Sequence, residues 1–150
     1  MNERQADDRS LNFAGDVDEA GNPLPMTYAV LEASAAKWPV SPQTPDDIAS
    51  LLARSRQMFT DGYYTYESFA DAAAKSLLAI EAALRIRLGR SSGSFSVLIG
   101  RARATGLVSD YAHDVLHAGR NLRNNQVHAT ASRSGIRYSR PTSSERHINL

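Results

Sequence analysis

The sequence predicts an all-α protein, an up-and-down four-helix bundle with an irregular N-terminal arm and a short Arg/Ser-rich C-terminal tail. Three observations carry this reading. Apolar residues recur at helical spacing in four successive segments. The connections between those segments are short, as antiparallel neighbours require. No segment alternates apolar and polar residues for long enough to read as a strand.

Residues 1–25 are polar and acidic and are broken by Gly15, Gly21, Pro23 and Pro25, so they read as a disordered acidic arm ahead of a helical domain over residues 26–128. Tyr28, Leu31 and Ala35 have near-helical spacing, although Tyr28–Leu31 fits an extended segment equally well. Trp38-Pro39-Val40-Ser41-Pro42 is expected to be extended, because each proline disfavours helix before it. Trp38, the only tryptophan, reads as an anchor on the helical body rather than a base-stacking platform. Thr44 as N-cap, Pro45 at the first position and Asp46 and Asp47 in the first turn start the first bundle helix. Its inward face is Ile48, Leu51, Leu52, Ser55, Met58 and Phe59, and Asp61-Gly62 ends it.

Residues 64–88 contain neither Gly nor Pro and carry the stripe Phe69, Ala73, Leu77, Ile80, Leu84 and Leu88. After a Gly89–Gly93 loop, Ser94 caps a short helix with Phe95, Leu98, Ile99 and Ala102 inward, closed by Thr105-Gly106. Ser109-Asp110 caps the last helix, whose expected core stripe is Tyr111, Val115, Ala118 and Leu122. Residues 129–150 form the basic tail, in which Pro141–Glu145 has the signature of a further helix start.

At 150 residues the chain has the length of one domain. Without cysteine it has no disulfide framework, no thiolate metal site and no Cys nucleophile, which fits a reducing compartment. No apolar run approaches the ~18 residues of a membrane span, and the first residues lack the basic start and apolar middle of a signal peptide; a soluble cytoplasmic protein is expected. The net charge of +1 hides an asymmetry. Residues 1–84 carry 6 Lys or Arg against 13 Asp or Glu, whereas residues 85–150 carry 11 Arg against 3 acids. Arginine forks suit phosphate, so a nucleic-acid partner is favoured over diffuse solubilising charge.

The chemistry concentrates in Gly119–His128. On a helix Asn124 and His128 lie one turn apart on one face, with Asn121 roughly one turn further back. Arg123 is rotated about 140° from His128 and lies about 7.5 Å away along the axis, an offset a guanidinium can span. Histidine gives or takes a proton near neutral pH, and arginine grips phosphate. Glu81, on the apolar edge of the long helix, needs a partner: either Arg123 or Arg120 across the bundle, or Arg85 at i+4. His113 and His117 have a possible metal spacing with Asp110 and Asp114 near, but a solvated face is the preferred reading. No phosphate loop or nucleophile elbow is present, and neither metal nor cofactor is expected.

The order Tyr66–Ala70 through Ile80–Leu84, then Phe95–Ile99, Ala104–Leu107 and Leu122-Arg123-Asn124-Asn125-Gln126-Val127-His128 resembles the HEPN superfamily (higher eukaryotes and prokaryotes nucleotide-binding) over residues 44–130. Its signature of Arg, a polar residue and a His a few positions on matches Arg123, Asn124 and His128, and Glu81 resembles the acidic residue of many members. The resemblance implies a metal-independent endoribonuclease of the toxin or phage-defence type, a homodimer and, for a toxin, an antitoxin partner. The irregular tail departs from members that continue with another helix.

The expected activity is therefore cleavage of single-stranded RNA. His128 acts as general acid or base, Arg123 stabilises transition-state charge and Asn124 orients the phosphate or the imidazole. Glu81 and Asn121 support them, and Arg120, Arg133, Arg137 and Arg140 hold the RNA backbone. The dimer contact is expected at Phe95, Val97 and Trp38–Val40. The alternative is a non-catalytic, dimerising module that binds a nucleotide or a protein, in which Arg123 and His128 are structural.

Overall fold

The computed structural model describes residues 4–12, 14–89 and 92–133, with residues 126–133 as helical backbone. It is mostly helical. The described helices are α1 (Tyr28–Ala36), α2 (Asp46–Asp61), α3 (Glu67–Arg87), α4 (Phe95–Ala104) and α5 (Asp110–Arg133). None is long and apolar enough to cross a membrane. The ambiguous segment after Met26 is helical because Thr27 caps it, accepting from the Val30 amide at 3.2 Å. Ser94 and Ser109 cap α4 and α5 as their positions predict. Thr44 does not cap α2. Pro45 holds the cap position in extended backbone, and the Thr44 amide is turned back to the Ser41 carbonyl. Gly89 and Gly106, at φ 61° and 72°, let the chain leave α3 and α4 through left-handed backbone.

α2 lies along α3 in the most extensive helix pair, and α4 and α5 cover the other half of α3. The core there is Leu77, Leu84, Phe95, Leu98, Ile99, Ala102 and Leu116, with Leu98 and Ile99 fully buried. An aromatic chain, Trp38–Phe59–Phe69–Tyr66, links the segment after α1 to α2 and α3.

Two expectations are corrected. The arm expected to be disordered over 1–25 includes a docked segment. The Ser10 hydroxyl is buried and donates to the Gly62 carbonyl at 2.6 Å, and the Asp7 amide donates to the Tyr63 carbonyl at 2.9 Å. Arg9 pairs with both Asp7 and Glu67. A short antiparallel hairpin follows, β1 (Ala14–Val17) with β2 (Pro23–Pro25), strands too short to show as alternation. The polar composition hid this because the segment is held by hydrogen bonds and charge rather than by apolar burial. Arg9 holds the Asp7 carboxyl far below the usual carboxylate range, and it also lowers Glu67. A depressed carboxyl stabilises the folded form above its unfolded pKa, and that contribution is lost as acid titrates the folded group. Residues 4–12 are therefore expected to release as pH falls below about 4. Amide exchange between pH 5 and pH 2 checks this, and unchanged protection of the Ser10 amide would refute it.

The second correction concerns α5. Its expected core stripe faces outward: Tyr111 is 79% exposed, Val115 50% and Leu122 65%, and Ala118 is exposed too. The adjacent stripe, Ala112, Leu116, Gly119 and Arg123, turns inward instead. Gly119 explains the choice. A Cβ there would sit 3.3 Å from two Leu77 methyl carbons, so the glycine lets α5 approach α3 closely enough to bury Leu116.

Candidate functional site

The inward face of α5 brings its cations to α3. The Glu81 side chain is 18% exposed, and its Oε1 accepts from Arg85 Nη2 at 2.7 Å. Its Oε2 lies 3.7 Å from Arg123 Nη1, an ion pair too long for a hydrogen bond. Two of the three partners foreseen for Glu81, Arg85 and Arg123, are thus near it, one on each oxygen. Arg85 also donates to the Gly93 carbonyl at 3.0 Å, which ties the α3–α4 loop to the same carboxylate. The Arg123 guanidinium carbon stands 5.8 Å from the centre of the Phe95 ring, within cation–π range. Phe95 is 5% exposed, so its expected place in a dimer contact is corrected: its ring is occupied inside the protein.

Arg120 does not reach Glu81; its Nη2 donates to Asn121 Oδ1 at 3.0 Å. Among the described residues, Arg120 Nε and Arg123 Nη1 are buried without a hydrogen-bond acceptor. Asn121 and Asn124 are exposed, on the solvent side of Arg120 and Arg123. α5 runs unbroken through position 128, as the motif spacing requires, while the side chain of His128 lies outside the described residues. So do the side chain of Arg133 and all of Arg137 and Arg140.

The solvated face expected for His113 and His117 is corrected. Both are half-buried instead, with ring centres 4.6 Å apart, and His113 Nδ1 lies 2.9 Å from Asp114 Oδ1. Burial, then the charges of His113 and Arg120, lower the His117 pKa, so its imidazole is neutral at pH 7. The signal for His117 was its position one turn before Arg120, on the face that turned inward. Among the described residues no group of three or more His, Asp or Glu side chains has a metal-binding arrangement.

Glu81→Gln removes the charge that Arg85 and Arg123 share, and is expected to destabilise the protein by about 1–3 kcal/mol. Thermal unfolding of the variant beside Arg85→Gln measures this, and an unchanged melting temperature for Glu81→Gln would make the carboxylate dispensable. Compared with protein-family models, curated proteins and solved structures, the chain matches none.

Proposed function

We propose that the chain is a HEPN-like endoribonuclease that cuts single-stranded RNA by attack of the 2′-hydroxyl on the adjacent phosphate, on an up-and-down bundle of α2–α5. The observation that carries this reading is a pair of unsatisfied donors on α5: among the described residues, Arg120 Nε and Arg123 Nη1 are buried without a hydrogen-bond acceptor. Buried donors left unbonded are costly. A phosphodiester supplies both the oxygens and the negative charge that would complete them. Arg123 stabilises the charge that grows on phosphorus-bound oxygen, Asn124 orients the phosphate or the imidazole, and His128 moves the proton. Arg120, steered by Asn121, and the tail residues Arg133, Arg137 and Arg140 hold the backbone, so binding weakens with salt. The attack needs no metal, so the test is run in EDTA. Single-stranded RNA incubated with the purified protein should yield fragments ending in 2′,3′-cyclic phosphate; RNA that stays intact at every enzyme concentration sinks the proposal.

The same reading includes a homodimer, placed in the cytoplasm, of toxin or phage-defence type and, for a toxin, held in check by an antitoxin. The outward stripe Tyr111, Val115, Ala118 and Leu122 supports the dimer, because its +4, +3, +4 spacing is the seam a second helix of the same kind fills. It replaces the Phe95 contact as the interface we propose; Val97 and Leu107 are also exposed.

One observation favours the second reading, a non-catalytic nucleotide- or protein-binding module. Arg123 already has an ion-pairing carboxylate and an aromatic ring, as a structural arginine would. Under that reading RNA is bound and left uncut.

A further inference from the structure

At the other half of α3 a cavity of about 410 Å³ opens between α2, α3 and the Trp38–Val40 segment. We propose that this cavity is a second ligand site, separate from the nuclease reading, and that it takes a small aromatic carboxylate. Its size falls in the range of small-molecule pockets, which are apolar and carry few polar groups. Trp38, Phe59 and Phe69 wall it, with ring centres 4.8 Å apart for the first pair and 5.5 Å for the second. The small side chains Ser55, Ala72, Ala73 and Ser76 also line the space. Trp38 keeps 42% of its surface exposed while lying over this opening.

The polar groups select the ligand's chemistry. Ser55 Oγ donates to the Ala72 carbonyl at 2.8 Å, and Ser76 Oγ donates to the Ala73 carbonyl at 2.9 Å. Both hydroxyl hydrogens are thereby used within the helix pair. Arg56 is the cation of the lining, and its Nη2 donates to the Trp38 carbonyl, which latches the Trp38 segment to α2. The remaining guanidinium donors suit an anion, whereas no carboxylate among the described lining residues would receive a cation. A nucleobase, with donors and acceptors around its edge, would leave several of them unmatched against Trp38, Phe59, Phe69 and Leu52. A ring with one terminal carboxylate sets its apolar part against these side chains and its one charged group against Arg56.

Trp38 is the chain's only tryptophan, so its fluorescence reports on the cavity directly. The full chain is titrated with three non-fluorescent probes of one shape, 3-phenylpropionate, 3-phenylpropanamide and 3-phenylpropylamine. The acid is expected to give a saturable change and to bind about tenfold or more tighter than the amine, the effect of one charge-assisted contact. Arg56→Gln should remove that preference. Ala73→Leu, at an exposed position on the cavity wall, should abolish the binding while leaving the far-ultraviolet circular dichroism unchanged. No saturable change with any probe, equal affinity for acid and amine, or unaltered binding to a folded Ala73→Leu variant overturns the proposal. RNA cleavage plays no part in any of these measurements, so the two readings fail separately.

Discussion

Replacing His128 by alanine is expected to abolish RNA cleavage in a protein that still folds. A positioned acid or base contributes about 10²–10⁴-fold to a rate, and in the proposed reaction no other motif residue moves a proton. The substitution lies within the continuous helix α5, where alanine is the better helix former, so the backbone carrying Arg123 is retained. The rival proton carrier is His117, half-buried one turn before Arg120 and kept neutral by its surroundings. The two assignments separate by mutation and by pH. If His117 is the base, His117→Ala abolishes cleavage and His128→Ala does not. Because the His117 pKa is lowered, its rate would also persist below about pH 6.5, where an ordinary histidine base is protonated and slow. Wild-type cleavage by a folded His128→Ala variant would remove His128 from the mechanism.

The helical character was legible because the long elements are strongly periodic and capped; Ser94 and Ser109 mark α4 and α5 to the residue. The docked N-terminal segment was not legible. It is held by Ser10 on the Gly62 carbonyl and Arg9 on Glu67, contacts across more than fifty positions of sequence that no local pattern records. The rotation of α5 misled for another reason. Two stripes lie side by side on that helix, and the larger one, with Tyr111, Val115 and Leu122, looks more core-like than Leu116 flanked by Ala112 and Gly119. Packing chose the smaller stripe because close approach to Leu77, with Arg123 brought to Glu81, outweighs the bulk of the other. Glu81 was legible as a residue needing a partner. That it would hold two at once was not, since Arg85 comes from its own helix and Arg123 from another.

Leu122→Asp should convert the proposed micromolar homodimer into a monomer and carry the proposed RNA cleavage rate down with it. Leu122 is 65% exposed, Tyr111 79% and Val115 50%, so a charge at 122 meets water in the monomer and costs the fold little. In a two-fold pairing on this stripe the position is buried once on each copy, and the substitution buries two carboxylates without partners, which is strongly unfavourable. Activity follows assembly in the proposed enzyme. A single Arg120–Arg123 pair lies beside open solvent, where water competes for the phosphate, whereas two copies double the positive potential and narrow the groove. Sedimentation velocity and cleavage measured on the same dilution series give the test. Wild-type specific activity should fall as the dimer dissociates, and Leu122→Asp should show the low value at every concentration. A wild-type chain that sediments as a monomer with full specific activity throughout would refute the pairing, and a Leu122→Asp chain that remains dimeric would move the interface off α5.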